Sequence, residues 1–92
     1  MYVIISGSMQ PELDIGDIVV VKKGYDNDRF KTGNIITFKR KDGEIITHRI
    51  SKVILADMQQ SYITKGDNNA ARDEELVEYD DIIGKVVLTL PK

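Results

Sequence analysis

The sequence of 92 residues contains no cysteine, only two prolines and a single histidine. Without cysteine, neither disulfide bonds nor thiolate zinc sites can stabilise the fold, so the apolar core must suffice. No apolar run approaches the roughly 20 residues that span a bilayer as a helix. Thirteen basic and 15 acidic residues nearly balance, so no basic excess favours nucleic acid or anionic lipid as a primary partner. We therefore expect one soluble globular domain.

Short runs of β-branched and aromatic residues, bounded by Gly, Asn, Asp and Pro, are typical of strands. They predict strands near Tyr2 to Ile5, Ile18 to Lys22, Asn34 to Lys39, Glu44 to Leu55, Ser61 to Thr64 and Ile83 to Leu90. The segment from Ala70 to Glu78 is predicted to be a short helix, and Lys23 to Lys31 a polar exposed loop. The expected fold is mostly β, an antiparallel sheet of hairpins with at most one short helix.

The sharpest local turn signal is Asp42-Gly43, which separates the third and fourth predicted strands. Both central residues of a type I′ turn need a positive φ, which Asp-Gly tolerates, so this pair predicts a hairpin with that turn. Along the second strand of the hairpin, side chains alternate between faces. Ile46, His48 and Ile50 therefore share one face, which places the only histidine in an apolar row.

Two polar residues suggest nucleophilic chemistry. Ser8 follows an apolar run and a glycine, and Pro11 fixes φ three residues later, so its hydroxyl can be held at a strand-to-turn junction. His48 has the side chain suited to take a proton from a serine near neutral pH. Each also has a structural interpretation: a serine that bonds its own turn, and a strand histidine satisfied by its neighbours.

A third stretch, "TKGDNNAARDEE", places Asp67 and Asp73 after a probable strand end. A carboxylate at this point can accept the second N–H of a catalytic histidine and stabilise the imidazolium. The structural alternative is a solvated acidic turn followed by a helix with acids in its first turn. Spacing alone does not choose between the two aspartates.

The same stretch also partly fits a calcium-binding loop. Positions 1, 3, 7, 9 and 12 of that template fall on Asp67, Asn69, Asp73, Glu75 and Glu78. Two positions argue against calcium, because Ala71 offers no side-chain oxygen and Arg72 occupies the place of the required glycine.

Taken together, six segments resemble type I signal peptidases, membrane-bound serine proteases that remove signal peptides from exported proteins. The segments are "SGSMQPEL", "GDIVVVKK", "GNIITFKR", "THRI", "TKGDNN" and "DIIGKVV", in the family's order from residue 6 to residue 87. The histidine in "THRI" resembles the branch found in the endoplasmic reticulum, archaea and some Gram-positive bacteria. In the common bacterial branch a lysine holds that place.

The resemblance implies a role for each polar residue of the site. It assigns the nucleophile to Ser8, the general base to His48, the essential acid to Asp73 and a supporting role to Asp67. The serine two residues before the nucleophile, Ser6, is implied to donate its hydroxyl to the oxyanion hole. No cofactor or metal ion is implied.

The resemblance also implies a substrate site and a location. Ile4, Met9 and Leu13 match positions that line the pocket for the residue before the cut, although all three also suit an ordinary core. The expected substrates are preprotein signal peptides. We expect residues 1–92 to be one catalytic domain without its membrane anchor, located on the extracytoplasmic or lumenal side of the cell or endoplasmic reticulum membrane.

Two alternatives remain at this point. Self-cleaving repressors share the serine-before-methionine arrangement, but they use lysine in the place of His48 and need a scissile segment upstream. A non-catalytic β module would instead bind peptides or partners through a strand edge, with the three polar residues serving structural roles.

Overall fold

A computed structural model of the protein describes residues 1–23 and 30–92. Within these ranges the chain forms one seven-stranded antiparallel sheet and one short 3-10 turn. The strands are β1 (Tyr2–Val3), β2 (Ile18–Lys22), β3 (Ile35–Lys39), β4 (Ile45–Ala56), β5 (Gln59–Lys65), β6 (Val77–Glu78) and β7 (Ile82–Leu90), with the 3-10 turn at Tyr79–Asp81. Their order in the sheet is β1-β2-β7-β3-β4-β5-β6. The predicted mostly-β fold is confirmed.

All six predicted strands are present, with ends that differ by at most two residues. The predicted helix at Ala70 to Glu78 is wrong, because this segment is irregular and then forms β6. Its backbone bonds to distant residues, since the N–H of Asp73 donates to the carbonyl of Thr64 at 2.8 Å. Val77 is 2% exposed and pairs with β5. Most of the loop predicted at Lys23 to Lys31 lies outside the described residues.

The predicted hairpin of β3 and β4 is confirmed, with Lys39 opposite Ile45. Its turn type is different from the prediction. Beyond the last strand pair, the N–H of Arg40 donates to the carbonyl of Glu44 at 2.8 Å, which leaves a three-residue loop at positions 41–43. In this loop only Gly43 has a positive φ, at 92°. The N–H of Gly43 donates to the carbonyl of Arg40 at 2.9 Å, so a type I turn is followed by a left-handed glycine.

Two apolar clusters form the core. The larger cluster lies under β3 to β7 and consists of Phe30, Ile36, Phe38, Ile50, Tyr62, Val77 and Ile82. The smaller cluster consists of Ile4, Met9, Leu13 and Val19. The smaller cluster fixes the segment around Ser8, because residues on both sides of this serine are buried in it.

Apolar side chains also cover one outer face of β1, β2 and β7. Because directly paired residues point the same way, Val3, Ile18 and Leu90 share this face, followed by Val20 and Leu88. Val3 is 57% exposed and Leu88 53% exposed. We call these five residues the apolar face. Among the described residues, no helix is long and apolar enough to cross a membrane.

Candidate active site

Ser8 lies in a tight turn that a second loop holds from outside. The N–H of Gln10 donates to the carbonyl of Gly7 at 3.1 Å and closes the turn. From the loop after β5, Asn68 donates its backbone N–H to the Ser8 carbonyl at 2.8 Å and its side-chain amide to the Gly7 carbonyl at 3.1 Å. The position of the serine is therefore set by residues about sixty positions away in the chain.

His48 lies on β4 and connects a serine to a carboxylate. Its Nε2 is 3.0 Å from the Ser8 Oγ, and its Nδ1 is 2.6 Å from the Asp73 Oδ2. An ionised carboxylate only accepts hydrogen bonds, so Nδ1 carries the proton and Nε2 is free to accept the serine hydroxyl. The ring is 4% exposed and meets the Phe38 ring edge-on, at 6.4 Å between centroids. The predicted apolar row around the histidine is confirmed.

Asp73 is the carboxylate that contacts the imidazole. Its Oδ2 also accepts the hydroxyl of Thr64 at 2.7 Å. Its Oδ1 lies 3.9 Å from the guanidinium of Arg40, which is equally close to Glu44. The acid thus has a neighbour on each oxygen.

Asp67 lies apart from the imidazole contacts and pairs with Arg49, the residue that follows His48. The Nε and Nη2 of Arg49 donate to the two Asp67 oxygens at 2.9 and 2.8 Å. The hydrogen bonds from Arg49 hold the pKa of the Asp67 carboxyl below its usual value. Hydrogen bonding to Asp67 in turn raises the pKa of Arg49. The backbone N–H of Asp67 points at the Met9 sulfur, 3.3 Å away, so the pair joins β4 to the Ser8 segment.

Ser6 lies beside the candidate nucleophile, with 3.1 Å between the Oγ atoms of Ser6 and Ser8. Its hydroxyl is therefore close to any group that reacts at the Ser8 Oγ. Its donation to an oxyanion stays a prediction.

A cavity of about 230 Å³ opens next to the two serines. Ile4 and Met9 contribute to one wall, and Ile45 to Thr47 of β4 contribute to the other. On one side these β4 residues pair with β3, whereas pairing with β5 starts only at Arg49. The second edge of this part of β4 is therefore unpaired with β5 and can accept an extended peptide.

Two of the three residues predicted to line the substrate pocket also line this cavity. Ile4 and Met9 do, whereas Leu13 is 2% exposed within the smaller core cluster and is not among the residues that line the cavity. Within residues 1–23 and 30–92, no three His, Cys, Asp or Glu side chains converge as metal ligands. The two aspartates of the calcium alternative point to different partners, Arg49 and His48.

Sequence reasoning missed three residues that contact the candidate site: Arg40, Arg49 and Thr64. Thr64 had a usable signal, because the strand pattern places it on the inward face with Tyr62. A buried hydroxyl needs a hydrogen-bond acceptor, and the two aspartates that follow in the sequence are candidates for it. The contacts of the two arginines depend on loops whose course the sequence pattern does not specify.

Residues 1–65 match the protein family described as signal peptidase, peptidase S26. The chain belongs to this family. The resemblance proposed from the six segments is thereby confirmed. The matched residues include Ser6, Ser8 and His48 and end just before the loop that carries both aspartates.

Known relatives belong to the same group. The chain is 35% identical over 79 residues to signal peptidase I W of Bacillus subtilis. That alignment covers 86% of this chain and 42% of the relative. It is 37% identical over 97 aligned residues to the signal peptidase complex catalytic subunit SEC11 of Verticillium alfalfae, covering 97% of this chain and 56% of the relative. The corresponding protein of Sclerotinia sclerotiorum is 36% identical over the same length. The chain spans about half the length of these relatives.

Proposed function

We propose that this protein is a serine endopeptidase that removes signal peptides from exported preproteins. The observation that supports this most strongly is the continuous contact from the Ser8 Oγ through both nitrogens of His48 to the Asp73 carboxylate. These residues come from the beginning, the middle and the later third of the chain. A purely structural role for each of them does not require that they meet in this order. Membership in the signal peptidase family supports the same reaction.

In the proposed reaction, His48 is the general base. Its Nε2 takes the hydroxyl proton as the Ser8 Oγ attacks the scissile carbonyl, and the resulting imidazolium faces the carboxylate of Asp73. The imidazolium then protonates the leaving amine, which departs as the new amino terminus and leaves an acyl-serine. A water molecule gives a proton to His48 and attacks the ester carbonyl. As the tetrahedral intermediate collapses, the ester bond to Ser8 breaks, His48 returns the proton to the Ser8 Oγ, and the signal peptide leaves with a new carboxylate.

Two donors are proposed for the oxyanion, the backbone N–H of Ser8 and the hydroxyl of Ser6. The distance of 3.1 Å between the two Oγ atoms supports the assignment of Ser6, because a hydroxyl this close to the Ser8 Oγ can also reach a carbonyl that Ser8 attacks. Removal of one such donor costs about 2.7–4 kcal/mol of transition-state stabilisation in comparable sites.

The cavity between residues 2–6 and β4 is the proposed substrate site. An extended peptide that lies along the free edge of β4 presents alternate side chains to the same wall. Ile4 and Met9 leave limited apolar space near Ser8, which favours small uncharged side chains at the first and third residues before the cut.

We also propose that the protein works at a membrane, on the extracytoplasmic or lumenal side of the cell or endoplasmic reticulum membrane. The apolar face supports this location, because apolar side chains that lie exposed next to one another are typical of surfaces that contact a membrane or another protein. Val3 belongs to the apolar face and also lines the cavity, so the substrate site opens beside it.

The test is preprotein cleavage by the wild type and by Ser8→Ala, His48→Ala and Asp73→Ala. Each change removes a group of the proposed machinery, so we expect cleavage to fall by several orders of magnitude. Ser51→Ala is the matched control, because this exposed serine on β4 donates its hydroxyl to the Ile63 carbonyl and is not among the residues that line the cavity. Cleavage by the Ser8→Ala protein at the wild-type rate would refute the proposal. Retained peptide binding without any wild-type cleavage would instead favour a non-catalytic β module.

A further inference from the structure

We propose that Thr64 is a positioning residue that holds the Asp73 carboxylate in line with His48 during the reaction. The inference rests on the proposed function. Thr64 contacts Asp73 twice: its Oγ1 donates to the Asp73 Oδ2 at 2.7 Å, and its carbonyl accepts the Asp73 N–H at 2.8 Å. One residue thus fixes both the backbone and the side chain of the acid.

Asp73 needs such support because it lies in the irregular segment between β5 and β6. Thr64, in contrast, is part of β5, is fully buried and pairs directly with Ile50 of β4. Ile50 is two residues from His48 on the same strand, so Thr64 and His48 point to the same face of the sheet. The double contact places a loop carboxylate in the rigid frame that carries the imidazole.

The orientation of the carboxylate matters for the chemistry. Oδ2 accepts both the His48 Nδ1–H and the Thr64 hydroxyl, while Oδ1 faces Arg40 at 3.9 Å. Without the threonine hydroxyl, the carboxylate can rotate about its Cβ–Cγ bond toward the guanidinium. Oδ2 would then no longer be aligned with the Nδ1–H when the imidazolium forms. A small misplacement of a catalytic group of this kind lowers the reaction rate strongly.

A purely structural role is the competing explanation, since any buried hydroxyl needs an acceptor. Thr37 is an equally buried threonine whose hydroxyl has its hydrogen-bond partner elsewhere than on Asp73. Its Oγ1 lies 2.8 Å from the Oγ1 of Thr47. Thr37→Val is therefore the matched control for Thr64→Val. Both changes replace a buried hydroxyl by a methyl group of similar size in the same sheet.

The kinetic experiment compares kcat and KM for preprotein cleavage. We expect Thr64→Val to lower kcat about tenfold with KM unchanged, because a hydrogen bond to a charged group is lost without contact to the substrate. Thr64→Ser keeps the hydroxyl and restores kcat to within about threefold, and Thr37→Val stays in the same range. Equal kcat in Thr64→Val and in the wild type, with Thr64→Val folded, would overturn the proposal.

A second measurement does not depend on cleavage. The Nδ1 proton of His48 gives a downfield proton NMR resonance when it is held against a carboxylate and protected from water. We expect this resonance to broaden through exchange with water in Thr64→Val and to stay sharp in Thr64→Ser and Thr37→Val. A sharp resonance in Thr64→Val refutes the positioning role, whether or not the protein cleaves preproteins. A protein that shows the expected NMR pattern but no cleavage refutes the proposed function alone.

Discussion

The ion pair of Arg49 and Asp67 connects β4, which carries His48, to the loop after β5, which binds the Ser8 turn. We expect this connection to stabilise the folded protein. Arg49 directly follows His48 on β4, and Asp67 directly precedes Asn68, which binds the Ser8 turn. We predict that Arg49→Met destabilises the protein measurably, although neither Arg49 nor Asp67 contacts the imidazole in the structure.

The expected size follows from the geometry. Hydrogen bonds to charged groups contribute about 1.5–3 kcal/mol to the free energy of unfolding when they are shielded from water, and exposed ion pairs contribute about 0–1 kcal/mol. The Arg49 side chain is 34% exposed and that of Asp67 24%, with two parallel bonds between them. A partly screened forked pair of this kind corresponds to about 1–2 kcal/mol. In a domain of this size, that lowers Tm by about 4–16 °C.

Urea unfolding of the wild type, Arg49→Met, Asp67→Asn and the double variant measures the coupling. The cycle is needed because the Arg49 Nη1 also donates to the Gly33 carbonyl at 2.8 Å, and that loss is common to both Arg49 variants. A coupling free energy below about 0.3 kcal/mol at neutral pH would refute the assigned contribution of the pair.

The same pair predicts a pH dependence. Hydrogen bonds from Arg49 lower the pKa of Asp67 in the folded protein, so the unfolded chain binds that proton more readily. The stability from the pair is therefore complete above the unfolded value of about 3.9 and is lost as the pH falls toward the lower folded value. A coupling that stayed constant from neutral pH to about pH 3 would contradict this reasoning.

Three further predictions concern the core, the serine turn and the base. Phe38→Ala removes a ring that is 2% exposed and packs edge-on against His48, and should cost about 3–5 kcal/mol in the free energy of unfolding, measured by urea denaturation. Gly66→Ala places a Cβ 2.7 Å from the Ser8 carbonyl oxygen and should lower kcat about 100-fold. Gly33→Ala is the control, because Gly33 has a φ of 95° but no atom lies within 4 Å of the added Cβ. It should lower the stability of the protein without a comparable loss of kcat. With a histidine base, cleavage should not require alkaline pH, and a pH–rate profile with only an alkaline limb would contradict that base.

Local sequence patterns were sufficient for most of the fold. Alternating β-branched residues specified the strands, since a period of two buries one face of each strand. The same patterns failed at Ala70 to Glu78, because the backbone of this segment bonds to β5 and Val77 fills the core beside Tyr62. Such long-range contacts leave no local period. They override a weak helix propensity of a few tenths of a kcal/mol per residue.

The sequence by itself determined the chemical groups and their order: a serine after a strand, one histidine in an apolar row and two acids after a glycine. Only the tertiary structure decided that Asp73 faces the imidazole while Asp67 pairs with Arg49, and that Thr64 supports the acid. The physical reason is that hydrogen bonds act over about 3 Å, whereas these partners are 25, 18 and 9 positions apart along the chain. Their meeting depends on how the sheet brings β4, β5 and the Ser8 turn together.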